Sequence, residues 1–80
     1  MRRIVVRAPA CSADIITYLK RVFQLHAEEL QPGEQAEFAF DAERFPFADA
    51  IFESLMTAAG LRTIGVRAED GTRIVAAEKG

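Results

Sequence analysis

One cysteine, one histidine and a set of short acidic pairs are the residues of this 80-residue chain that could do chemistry. Cys11 stands where a first strand is expected to end and a first helix to begin. A thiol at a helix N-terminus feels the positive end of the helix dipole and unpaired backbone N–H groups, which favour the nucleophilic thiolate. Nearby Arg7 is a cation of the same effect. The expected chemistry is nucleophilic attack or sulfur acceptance at Cys11, supported by Arg7, Ser12 and Asp14. The bland alternative is a small buried hydrophobe, the commonest fate of a free cysteine.

The other candidates are weaker. His26 lies fifteen residues beyond Cys11, which is roughly 20 Å along a helix and too far for a Cys–His pair. His26 and Glu29 have adjacent-turn spacing, but two ligands on one helix do not make a metal site, and none is expected. Glu28-Glu29, Asp41/Glu43 and Glu69-Asp70 fall at helix ends or turns, where solvation explains them. The glycines are scattered, so no phosphate loop is expected. The six phenylalanines suit core stripes better than a base-stacking platform.

The elements that must position Cys11 are legible from periodicity. Arg3 to Ala8 alternates as a strand, with Ile4 and Val6 facing one way and Arg3, Val5 and Arg7 the other. Pro9 ends it. Ser12 is the expected N-cap, with Asp14 in the first turn. Ile15, Ile16, Leu19, Val22, Phe23, Ala27 and Leu30 form one stripe on a helix from about residue 13 to 30, which Pro32-Gly33 stops. Gln35 to Asp41 alternates again, with Ala36, Phe38 and Phe40 facing the core. Pro46 suits the first turn of a second helix, with Phe47, Ile51, Leu55 and Ala58 on its face and Phe52, Met56 and Ala59 beside it. Phe45 and Phe47 are expected to anchor that helix. Gly60 fits its left-handed end. Residues 62–68 and 72–78 form two strands joined by the hairpin signal Asp70-Gly71, which pairs Val66 with Val75 and Ile64 with Ala77.

The order β-α-β-α-β-β implies an α+β fold: a two-layer α/β sandwich, a four-stranded mixed sheet with two helices on one face, in a single domain over residues 1–80. The other sheet face is expected to show Arg3, Val5, Thr63, Gly65 and Arg67 among others, with Arg3, Val5 and Arg67 as a partner surface. Half of the residues are hydrophobic, and ten basic against twelve acidic residues give a net charge of -2. That balance disfavours nucleic-acid binding, although Arg62, Arg67 and Arg73 are close in sequence. One cysteine suggests a reducing compartment, and no stretch approaches a membrane span of about 20 residues. A soluble cytoplasmic protein is expected.

Four features together resemble the TusA/SirA-like sulfur-carrier family: a strand leading to a cysteine at the start of the first helix, Leu30-Gln31-Pro32-Gly33-Glu34 like the family's L-x-P-G-E, Phe38-Ala39-Phe40-Asp41, and Ala59-Gly60-Leu61 followed by a hairpin and Lys79. The family's C-P-x-P corresponds here to Cys11-Ser12-Ala13-Asp14, without proline. The resemblance implies a SirA-like fold, related to that of the C-terminal domain of bacterial translation initiation factor three. It also implies a sulfurtransferase role. Cys11 would take persulfide sulfur from a desulfurase or rhodanese-type protein and hand it to an acceptor protein, with no cofactor. A non-enzymatic interaction or regulatory module on the same fold, with an inert cysteine, is the alternative.

Overall fold

A computed structural model describes residues 2–7 and 14–80 of the chain. The elements are β1 (Arg2–Val6), α1 (Ile15–Glu29), β2 (Gln35–Asp41), α2 (Asp49–Ala58), β3 (Leu61–Glu69) and β4 (Thr72–Lys79). They build one mixed sheet in the order β1-β2-β4-β3. β1 runs parallel to β2, as the helical crossover between them demands, and β4 runs antiparallel to both β2 and β3. The expected two-layer α+β architecture is present, with both helices on one face.

β2 is where the layers meet. Ala36, Phe38 and Phe40 alternate inward and are fully buried. Phe23 of α1 packs its ring edge-on against both Phe38, at 5.2 Å, and Phe40, at 6.0 Å. Phe52 of α2 lies 4.6 Å from Phe40, and Phe45 closes a third side at 5.5 Å. Phe40 therefore touches a ring from each helix and one from the loop between β2 and α2.

α1 buries Leu19, Phe23 and Ala27, with Leu30 just beyond its end. Its N-cap is Asp14 rather than Ser12. Asp14 is extended, at φ -152°, and its carboxylate accepts from Thr17 N at 3.1 Å and from the Thr17 hydroxyl at 2.6 Å. A cap side chain three residues ahead of an orphan N–H satisfies it, so the helix starts at Ile15, two residues later than expected. At the other end, Lys79 Nζ donates to Ala27 O at 2.6 Å, covering a carbonyl that has no partner within the helix. Pro32-Gly33 forms the expected turn. Glu34 N donates to Gln31 O at 2.9 Å, and Gly33 takes φ +86°, a conformation open to glycine.

α2 departs from expectation in its start and its rotation. Pro46 precedes the helix instead of opening it, because Phe47 N turns back to Phe45 O and Arg73 holds Phe47 O from β4. Arg73 also lies 3.6 Å from Asp49 and 5.5 Å over the Phe52 ring. The helix therefore begins only at Asp49, and Phe52, Leu55 and Met56 are its buried face. Ile51 and Ala58, expected on that face, are exposed, while Phe52 and Met56, expected beside it, are buried. Phe45 is buried and Phe47 packs partly buried on the core, so both anchor the helix as expected.

The β3–β4 hairpin turns at Asp70 (φ +46°) and Gly71 (φ +78°), and Val66 pairs with Val75. The far end of the register differs from expectation. A bulge between Thr63 and Gly65 sets Thr63, not Ile64, opposite Ala77. Thr63 then faces α2, where its hydroxyl lies 3.7 Å from Met56 sulfur. The extra residue, Ile64, is left exposed and unpaired.

Phe40→Ala should remove about 3–5 kcal/mol, against a total of about 4–12 kcal/mol for a chain this size. Urea unfolding followed by circular dichroism should show a large drop in midpoint. The same truncation at exposed Val5 should change stability by no more than about 0.5 kcal/mol.

Candidate functional site

The two described residues that flank the candidate nucleophile are tied to each other's elements. Tyr18, in the first turns of α1, donates its hydroxyl to Arg7 O at 2.7 Å. Tyr18 N also donates to Asp14 O at 3.2 Å, within the first turn of the helix. The end of β1 and the start of α1 are thus clasped together through one side chain. Cys11 and Ser12 fall in residues 8–13, outside the described residues. Sequence reasoning missed Tyr18. Its signal was a tyrosine beside the apolar stripe, with an aromatic body to bury and a hydroxyl that seeks a partner.

Arg7 and Asp14 differ in how committed they are. Thr17, through its hydroxyl first and its backbone N–H second, holds the Asp14 carboxyl below the usual carboxylate range. Asp14 is therefore occupied as a cap. Arg7 is exposed and makes no ion pair with any described residue. It stands on the rim of an open groove of about 910 Å³ over the C-terminal ends of β1 and β2. Val5 and Ala39 line the groove, with Arg44, Asp41 and Asp70 around them.

The open sheet face carries a charged ladder. Arg3 on β1 donates to Glu37 on β2 at 3.2 Å. Arg67 on β3 reaches across β4 to the other Glu37 oxygen at 2.7 Å and also donates to Glu69 at 3.0 Å. The register explains the reach. Glu37 pairs with Ala76 on the intervening strand β4, where the side chain is only a methyl group. Ala39 and Ile74, on the same face, are only 6% and 2% exposed. Two of the three residues expected to form a partner surface, Arg3 and Arg67, are thus bound to Glu37. Val5 is 63% exposed.

The late arginines do not form one basic patch. Arg62 pairs with Glu78 at 2.6 Å, Arg67 with Glu37, and Arg73 with Asp49 beside α2. Each has a carboxylate partner, and they lie on both faces of the sheet. His26 sits edge-on to Phe38 at 6.0 Å, with Nδ1 3.8 Å from Glu29. Among the described residues no three potential ligands gather into a metal site, and no helix is long and apolar enough to cross a membrane.

No protein-family model and no curated protein matches the chain. Solved structures do match. The antibiotic-resistance methyltransferase Kmr aligns with a TM-score of 0.64 and 19% identity, over 98% of this chain and 49% of that chain. A second crystal structure of Kmr gives a TM-score of 0.65 and 17% identity, over 98% and 50%. HP1264 from Helicobacter pylori aligns with a TM-score of 0.61 and 22% identity, over 99% of this chain and 97% of that one. The chain spans about half the length of Kmr and nearly all of HP1264. These likenesses show the fold.

The ladder sets a pH dependence. Hydrogen bonds from Arg67 and then Arg3 hold the Glu37 carboxyl below its ordinary value of 4.5. A carboxylate favoured in the folded state adds stability above its unfolded value and loses it as pH falls through the folded value. Glu37→Gln should therefore lower the thermal midpoint at neutral pH, and the two midpoints should converge as the pH falls below 4.5 through the lowered folded value.

Proposed function

We propose that the protein is a small cytoplasmic sulfur carrier, resembling the TusA family, in which Cys11 accepts persulfide sulfur from one protein and passes it to another. The observation that carries this is the clasp from Tyr18 to Arg7 O, which ties together the two elements on either side of the residues that include Cys11. It holds the end of β1 against the first turns of α1, and a thiol at a helix N-terminus is favoured as thiolate. The whole-chain resemblance and a fold of the expected order add to it.

The chemistry needs no cofactor. The Cys11 thiolate attacks the outer sulfur of a donor persulfide. The donor's S–S bond breaks, and the electron pair leaves on the donor's inner sulfur as a thiolate. Cys11 then carries Cys-S-SH, and its outer sulfur is open to the same attack by an acceptor thiolate. No net oxidation occurs. Arg7, exposed and four residues before Cys11 in the chain, is the cation this reading assigns to the stabilisation of the thiolate.

A second reading has an observation of its own. The fold spans half of the Kmr chain, so the same architecture serves as one part of a larger protein. On this reading Cys11 is inert and the protein acts as an interaction or regulatory module.

Incubation with a cysteine desulfurase and free cysteine should add one sulfur atom to the intact mass of the chain, removable by reductant and absent in Cys11→Ser. No gain with desulfurase or rhodanese donors would overturn the sulfur-carrier reading. An unchanged biological phenotype in Cys11→Ser would favour the interaction module.

A further inference from the structure

We draw no further inference here: the strongest candidate, the groove of about 910 Å³ over the C-terminal ends of β1 and β2, belongs to the site already described, and its arginines, Arg7 and Arg44, stand among Asp41, Glu43 and Asp70, so that it selects no ligand by charge.

Discussion

The burial of Phe40 between two helices is the constraint on which the rest of the structure depends. One strand position receives Phe23 from α1, Phe52 from α2 and Phe45 from the intervening loop. For all three rings to meet there, both helices must lie on the same face of the sheet. The loop from Asp41 must also turn sharply back, and it does so with Arg44 N and Phe45 N both bonded to Asp41 O. An 80-residue chain buries a limited share of its surface, and this one concentrates that burial on a single side.

The opposite face follows from that choice. No element among the described residues packs over it, and the Arg3–Glu37–Arg67–Glu69 ladder lies over the face that carries Ala39 and Ile74. Ala76 matters here through its size, since it is the β4 residue that pairs with Glu37 on the way from Arg67. The aliphatic stems of the arginines can cover apolar surface while their heads remain hydrated. The face is therefore a paired polar surface instead of an apolar docking plate, and its unpaired features gather towards β1, at Val5 and Arg7.

What was legible in the sequence was whatever local periodicity and turn chemistry decide. The inward alternation of Ala36, Phe38 and Phe40, the stripe of α1, the Asp70-Gly71 hairpin and the Pro32-Gly33 stop all appear where they were expected. The misses are places where a distant residue overrides a local preference. Pro46 is a good helix opener in isolation, but Arg73, far along the chain, holds Phe47 O and delays α2 to Asp49. Ser12 is a good cap type, but the carboxylate of Asp14 has the geometry to take both donors of Thr17. The bulge at Ile64 has no strong local mark beyond Gly65. Of the candidate site, Cys11 and Arg7 could be named from sequence, whereas the Tyr18 clasp is a contact between elements and leaves no motif.

These pieces meet at the pole where β1 ends and α1 begins. The core sets α1 against the sheet, Asp14 caps it, and Tyr18 binds its first turns to Arg7 O. The sulfur-carrier proposal requires that this pole make Cys11 a better nucleophile than an ordinary thiol. The most direct measurement is the rate of Cys11 alkylation in the folded protein as a function of pH. The account predicts a midpoint clearly below the ordinary thiol value of about 8.5. A midpoint at or above that value, or a thiol that reacts only on unfolding, would contradict it.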